Sequence, residues 1–443
     1  MTSSFDSIPN AITAKALANN FNMEEKSRRE ACVTNKKFYY GETDGYVSTF
    51  NLETEIIGLN LTKPVISKRA SMLYSRKLTR DFDGDAASVA FLEAVYEEND
   101  IDSFLGNVDL MAELTGSALV SPVHSELLPT GIKLQMWDGS QISAVADEQD
   151  PNIPAAISLV KVVDQLANGW NAGSPTSKRV LSQQVWTDDA VVSYEGPILT
   201  STQTNPFGFI PFVNFMGEEV PGQYIGFAPA TLVRKLNSTI NQMMTDLGYT
   251  IKMQSASPVV LSGYQSGEGI ILTPGRAISL PAGAAADVLD FQPKIKEVLE
   301  VIQFIEDKIY ETSSVPKISI IGGEGNSGRE LLVRWFPLVQ VYQEKTVRFQ
   351  KYEKELANTI LRVAGLAPIK DVNINYPDEE QLPLSPQDET LERDITLGLK
   401  TPVDEIVRRN PHLTEEEASV TLTENKTLND AIEVTKIDNT IEV

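Results

Sequence analysis

One glycine-rich segment carries the residue types that bind phosphate groups. Its residues are Gly323, Glu324, Gly325, Asn326, Ser327 and Gly328. An apolar run precedes it and a helical pattern follows, the setting in which backbone N–H groups bind phosphate. A nucleotide site also needs a lysine and then a serine or threonine, but Arg329 and Glu330 follow here. Because Glu324 and Glu330 repel phosphate, we interpret the segment as a loop that uses glycine's backbone freedom, and a nucleotide-binding enzyme is the alternative.

Other candidates for catalysis are few. The two histidines, His124 and His412, have no nucleophile placed beside them, and surface or strand-end positions fit them better. Cys32 is the only cysteine, which excludes an intramolecular disulfide and a cysteine-based zinc site. No HExxH or GxSxG sequence occurs. The sequence therefore predicts no enzyme activity, no cofactor and no metal site.

The composition is that of a globular protein with several cores. At the usual domain size, 443 residues correspond to about three domains. The chain has 38 lysines and arginines and 61 aspartates and glutamates, which gives a net charge of −23. This charge excludes a protein whose whole surface is basic and binds nucleic acid tightly. Neither a membrane-length apolar run nor a signal-peptide pattern occurs. We therefore expect a soluble intracellular protein.

The first ~115 residues have a mainly helical pattern. Residues 23–37 predict a basic helix, residues 89–96 and 101–114 predict amphipathic helices, and Gly116 is a predicted helix stop. Two basic clusters lie here: Lys26, Arg28, Arg29, Lys36 and Lys37, and then Lys63, Lys68, Arg69, Arg76, Lys77 and Arg80. We expect them to be solvated or to pair with acidic neighbours.

From Ser117 to about Phe215 the pattern changes to short β-rich runs. Turn signals such as Asp138-Gly139 and Glu195-Gly196 separate them. This pattern predicts one antiparallel meander of about six or seven strands.

Two amphipathic helices then flank a small β-rich head. The first follows Pro229 and the second follows Pro293, and a segment rich in glycine and proline lies between them. A long helix is predicted at residues 328–363, and Pro337 inside it predicts a kink. Short capped helices follow, one of them starting at Thr401-Pro402.

These elements, in this order, resemble portal proteins of tailed double-stranded DNA bacteriophages. The resemblance is carried by NPFGFIPFVNF, GFAPATLVRKLNSTINQMMTDLGY, SVPKISIIGGEGNSGRELL, the long helix with Pro337, and LSPQDETLERDITLGLKTPVDEIVRRNPHLTEEEA. It implies an α+β, multi-domain subunit that forms a ring, usually a dodecamer, at one vertex of the capsid. DNA is packaged and ejected through the axial channel of such a ring. A cytosolic helical scaffold protein is a further alternative.

The resemblance also implies a division into domains. The wing would comprise residues 1–225, with the N-terminal helices and the meander, and residues 329–382, with the long kinked helix and a following strand. The stem would comprise residues 226–254 and 293–315, and the clip residues 255–292. Residues 316–328 would be the tunnel loop, and residues 383–443 a short crown and an acidic tail. The short crown departs from the family, so nothing about a large internal crown is carried over.

Site residues follow from the same resemblance. The clip would dock the terminase large subunit and later a head-completion or adaptor protein, through Gly263, Tyr264, Gln265, Glu268 and Arg276. Lys308, Lys317, Gly322, the glycine-rich segment and Arg329 would lie near DNA. These cations would contact phosphate without sequence specificity, or they would pair with Glu306, Glu311 or Glu324, and the sequence leaves both open.

The implied setting is a virion. The ring would assemble in the host bacterial cytoplasm and contact the major capsid and scaffolding proteins, with no membrane contact. A channel wall of strong negative charge would let DNA slide instead of binding it. The apolar stripes of the two stem helices would face neighbouring subunits.

Overall fold

The computed structural model describes most of the chain. The described residues are 11–20, 22–42, 58–166, 177–196, 198–255, 259–262, 285–288, 295–317, 328–377, 401–409, 414 and 418–423. They divide into two units, a larger one of residues 1–318 and 340–377 and a smaller one of residues 319–339 and 378–443. The strands that the described residues form all belong to the larger unit.

Helices form where apolar residues recur with helical spacing. The helices with described bounds are α1 (Ala11–Asn20), α2 (Met23–Tyr39), α3 (Thr62–Ala70), α4 (Ala86–Glu98), α5 (Ile101–Thr115), α6 (Pro229–Ser255), α7 (Ile295–Ser313), α8 (Gly328–Ala364) and α9 (Pro402–Arg409). Asn22 and Asp85 cap α2 and α4 with their side chains. The predicted basic helix and the two predicted amphipathic helices are α2, α4 and α5, and these predictions are confirmed.

The β region forms two sheets instead of the single predicted meander. The strands are β1 (Arg80–Asp83), β2 (Ser117–His124), β3 (Ile132–Asp138), β4 (Ile142–Ala146), β5 (Pro154–Leu166), β6 (Ser177–Trp186), β7 (Ala190–Glu195), β8 (Ile198–Thr204), β9 (Val213–Met216), β10 (Val259–Ser262), β11 (Ala285–Val288) and β12 (Asp371–Ile374). Strands β4 to β8 form an antiparallel meander, whereas β2 lies between β3 and β9. The pairing of β2 with β9 joins segments about a hundred residues apart, which turn signals cannot reveal.

The N-terminal region is mainly helical, as predicted, but it also contains the unpredicted strand β1. This strand pairs antiparallel with β12, so Arg80 lies opposite Ile374 and Asp83 opposite Asp371. Strand β12 itself confirms the predicted strand after the long helix. The four residues of β1 are too few for a distinct sequence pattern, and their partner lies almost 300 residues away in the chain.

The main core of the larger unit lies between α5, the C-terminal half of α8 and the sheet of β2, β3 and β9. An aromatic cluster fills it, with ring centroids of Phe215 5.6 Å from Phe349 and 5.5 Å from Tyr352. Edge-to-face rings at these distances add specific attraction to the burial of apolar area. The C-terminal half of α8 is therefore held along its inner face by the sheet.

Two predicted helix features at the C-terminal side are present. Helix α8 is a single 37-residue helix that contains Pro337, and the kink there stays a prediction. Helix α9 starts at the predicted position, where Asp404 N donates to Thr401 Oγ1 and Thr401 N donates to Asp404 Oδ2. This reciprocal pair is a capping box with an aspartate.

Gly116 connects α5 to β2, and a substitution there tests how closely this connection is packed. Its φ is +84°, and an added Cβ would lie 2.3 Å from Gly226 O. Gly116→Ala should therefore destabilise the protein both by backbone strain and by overlap of the new Cβ with this carbonyl oxygen. Gly196→Ala is the matched control, since Gly196 has a φ of +59° and open space around it. We expect Gly116→Ala to lower the free energy of unfolding by about 2 kcal/mol more than the control. Equal melting temperatures of the two variants would contradict this packing.

Candidate functional site

Helices α6 and α7 are the two predicted stem helices, and they pack against each other. Ile240 and Leu247 of α6 and Ile302 and Ile309 of α7 are buried within one chain. The expectation that the apolar stripes face neighbouring subunits is therefore wrong for these four residues. Burial inside the subunit already removes them from water, which is the main gain that apolar contact provides.

The opposite side of α7 is exposed and acidic. Residues recur along it at steps of three and four, namely Glu297, Glu300, Phe304, Asp307 and Glu311. Phe304 is 60% exposed at the centre of this row. The four carboxylates give the row a negative charge, which is compensated in part by ion pairs of Glu300 with Lys296, Asp307 with Lys317 and Glu311 with Lys308. We call this row the acidic face of α7.

Amide side chains attach α6 to the rest of the larger unit. Asn237 Oδ1 accepts hydrogen bonds from the N–H groups of Leu61 and Thr62 at 2.8 and 3.1 Å, and Asn237 Nδ2 donates to Leu59 O. Leu61, the residue before α3, has no capping side chain of its own. Asn237 therefore caps α3 from another helix, and Asn241 accepts a further bond from Leu59 N.

A further amide side chain, on α2, contacts α6 closer to the start of that helix. Asn35 of α2 is fully buried, donates to Leu114 O and Thr231 Oγ1, and accepts from Arg234 Nε at 2.8 Å. Sequence reasoning missed these anchors. The available signal was the spacing of Asn237, Asn241 and Thr245 at steps of four, which places a polar row beside the apolar stripe of α6.

The C-terminal end of α7 is closed by a Schellman motif. Val315 N donates to Tyr310 O at 3.2 Å, and Ser314 N donates to Glu311 O at 3.1 Å. Ser314 has a φ of 58°, the left-handed conformation that this motif requires. Val315 is buried, so the chain has a fixed course as it leaves α7.

The predicted channel cations Lys317 and Lys308 are paired with carboxylates of the same chain. Lys317 Nζ lies 3.1 Å from Glu306 Oε2 and 2.8 Å from Asp307 Oδ1. Lys308 contacts Glu311, three residues away. Of the two possibilities that the sequence leaves open, the structure shows pairing with acidic neighbours for these two lysines.

Most other predicted site residues lie outside the described residues. They are Gly263, Tyr264, Gln265, Glu268 and Arg276 of the predicted clip, and Gly322, Gly323, Glu324, Gly325, Asn326 and Ser327 of the predicted tunnel loop. Gly328 and Arg329 are the first residues of α8. Strands β10 and β11 pair antiparallel, which confirms β structure within the predicted clip.

The basic clusters of the N-terminal region supply structural ion pairs. The described pairs are Arg28 with Glu25, Lys36 with Asp138, Arg69 with Glu113 and Glu218, and Arg80 with Asp102 and Glu353. The predicted pairing with acidic neighbours is confirmed for these four cations. These four cations are therefore paired with carboxylates of their own subunit.

The described part of the chain contains no helix that is long and apolar enough to cross a membrane. The same residues contain no group of three or more histidine, cysteine or acidic side chains placed to hold a metal ion.

Comparison with known proteins decides the family. The model of the family "Phage portal protein, SPP1 Gp6-like" matches residues 19–425. The chain belongs to this phage portal protein family. Phage portal proteins are structural and not enzymatic, so the family assigns no nucleotide chemistry to the glycine-rich segment.

Solved structures with a similar fold come from gene transfer agent (GTA) particles. The neck of a native GTA particle computed with C12 symmetry has a TM-score of 0.50 and 12% identity, over 90% of this chain and 98% of that one. The virion of a native GTA particle has a TM-score of 0.48 and 12% identity, over 88% of this chain and 99% of that one. No curated protein sequence matches the chain. At this identity the likeness concerns the fold alone, and the portal-like α+β fold agrees with the prediction.

The amide anchor of α6 is tested by Asn237→Ala. This change leaves the N–H groups of Leu61 and Thr62 and the carbonyl of Leu59 without their partner, and each unpaired buried group costs about 1–3 kcal/mol. We expect a lower melting temperature and faster amide exchange at residues 59–62. Thr239→Ala is the control, since Thr239 is exposed on the same helix and bonds only Lys235 O in the described contacts. Unchanged exchange at residues 59–62 would show that Asn237 does not anchor α6.

Proposed function

We propose that copies of this portal protein form a ring of twelve subunits, which encloses the DNA channel at the capsid vertex of a virion. The acidic face of α7 carries this proposal. It is a continuous exposed row on one of two long helices, and the other side of α7 packs within the subunit. The net charge of −23 per chain is repeated in every copy of a ring.

The acidic face suits a wall along which DNA moves. Carboxylates repel the phosphate backbone, so no counterions are released and the duplex gains no binding energy that would stop its movement. Lys296, Lys308 and Lys317 lower this charge without reversing it, because α7 carries five carboxylates against these three lysines. Packaging and ejection through one channel both require such weak, sequence-independent contact.

The remaining assignments follow from the portal role. Helices α6 and α7 correspond to the stem at residues 226–254 and 293–315, and the segment between them to the clip that docks the terminase large subunit and then a head-completion protein. Residues 316–328 are the proposed tunnel loop. The capsid and scaffolding proteins are the other proposed partners, and assembly takes place in the host bacterial cytoplasm.

Ring formation is tested by electron microscopy and particle mass. We expect rings with a central hole and a mass near twelve times 48.7 kDa. The fold and the family support this outcome, since a subunit with a long exposed charged face needs neighbours to enclose a channel. A monomer or dimer at high protein concentration would contradict the proposed function.

The acidic face is tested by the double variant Glu297→Lys and Glu300→Lys. We expect rings of this variant to bind linear duplex DNA at least about tenfold more tightly than the unchanged protein at low salt, with a steep loss of affinity as salt rises. Closed circular DNA, which cannot thread the channel, should bind much less. The control Glu126→Lys and Glu148→Lys makes the same charge change at exposed positions outside the stem. Equal binding by test and control variants would show that the acidic face does not line the channel.

A further inference from the structure

A buried arginine joins the last turn of α7 to the core of the larger unit. Arg69 Nη1 donates to Ser313 O at 2.8 Å, and both residues are 3% exposed. Ser313 is the last residue of α7, and carbonyls in the last turn of a helix lack partners within the helix. The guanidinium satisfies this buried carbonyl and is also favoured by the negative end of the helix.

The same guanidinium also contacts two carboxylates. Arg69 Nε donates to Glu113 Oε2 at 2.9 Å, and Arg69 Nη2 lies 3.3 Å from Glu218 Oε1. Because the guanidinium is planar and its donors have fixed directions, these contacts fix its orientation. The position of the end of α7 is therefore set relative to α5, which carries Glu113.

Lys345 of α8 completes the cluster. Its Nζ lies 3.0 Å from Glu113 Oε1, 2.6 Å from Asp109 Oδ1 and 3.0 Å from the carbonyl oxygen of Arg69. Burial raises the pKa of Asp109 to about 7. Burial also opposes ionisation of Glu113, but Lys345 and Arg69 hold the pKa of Glu113 below its usual value. Glu113 is therefore ionised at neutral pH, and each of its oxygens contacts one cation.

A buried cluster of charged side chains adds little to the stability of a fold by itself. Removing charges from water is costly, and well-packed apolar side chains of similar volume often stabilise a core equally well. What the charged groups add is direction, since each hydrogen bond fixes an angle as well as a distance. Four helices meet at this cluster, and α7 contributes only a backbone carbonyl to it.

We propose that Arg69 is a positioning residue that fixes the point at which the chain leaves α7 for residues 318–327. This inference rests on the proposed function, in which those residues belong to the tunnel loop. The Schellman motif and buried Val315 fix the course of the chain from Ser313 towards Lys317, the last described residue before residues 318–327. In a ring, Arg69 would hold residues 314–317, from which the proposed loop continues, in the same position in every copy.

The test is Arg69→Lys, which keeps the charge beside Glu113 but cannot reach Glu113 and Ser313 O together with a planar fork. We expect amide exchange at residues 309–317 to become about tenfold faster, with exchange in α5 and α8 unchanged, rings still visible by electron microscopy, and DNA retention by assembled particles reduced. Arg28→Lys is the matched control, because Arg28 also joins a carboxylate, Glu25, to backbone carbonyls elsewhere. Exchange at residues 309–317 that equals that of the unchanged protein would overturn the proposal.

A second variant separates positioning from stability and serves if Arg69→Lys does not fold. It combines Arg69→Met, Asp109→Leu, Glu113→Met and Lys345→Met, which removes all the buried charges together. A retained melting temperature with faster exchange at residues 309–317 supports the positioning role, whereas retained protection there overturns it. Exchange is measured on the protein whether or not rings form. Absence of rings in the unchanged protein would therefore contradict the proposed function, while the exchange result still decides the role of Arg69.

Discussion

The larger unit depends on one buried carboxylate, Glu113, which is shared by two buried cations. Arg69 and Lys345 are both buried, and Glu113 is the carboxylate that contacts both of them. Breaking one side of such an arrangement would leave a buried charge uncompensated, which typically costs several kcal/mol. Helices α3, α5 and α8 therefore cannot slide past one another independently, and the end of α7 is bound to the same group through Arg69.

Helices α6 and α7 are attached to the larger unit by polar contacts and packed against each other by apolar ones. Asn237 and Asn241 fix α6 against residues 59–62, and Arg69 fixes the end of α7. The contact of Arg69 is to Ser313, one of the buried residues of α7, and the acidic face lies on the side of α7 away from these residues. The proposed function uses this division, because one side of α7 is held by the subunit and the acidic face stays exposed.

Helices with strong apolar periodicity could be predicted from the sequence, and the pairing of distant strands could not. The apolar residues that recur with helical spacing after Pro229 and after Pro293 predict α6 and α7. The prediction is possible because the spacing that buries one face of a helix is a local property of the sequence. Strand β1 and the separation of β2 from the meander depend on partners far away in the chain, at β12 and β9. The expectation that the apolar stripes of α6 and α7 face neighbouring subunits is wrong for the four residues buried within the subunit, because spacing shows that a face is buried and not what buries it.

The sequence by itself determined the order of elements, the acidic charge and the resemblance to portal proteins, because these are properties of residue type and spacing. Only the tertiary structure decided the partners of the charged residues. Arg69 is one of several cations in a basic cluster of the sequence, and in the structure it is buried and donates to Ser313 O, 244 positions away. Lys317 pairs with Asp307 of α7. A charge in the sequence does not specify its partner, because desolvation and geometry select that partner only after the helices have packed.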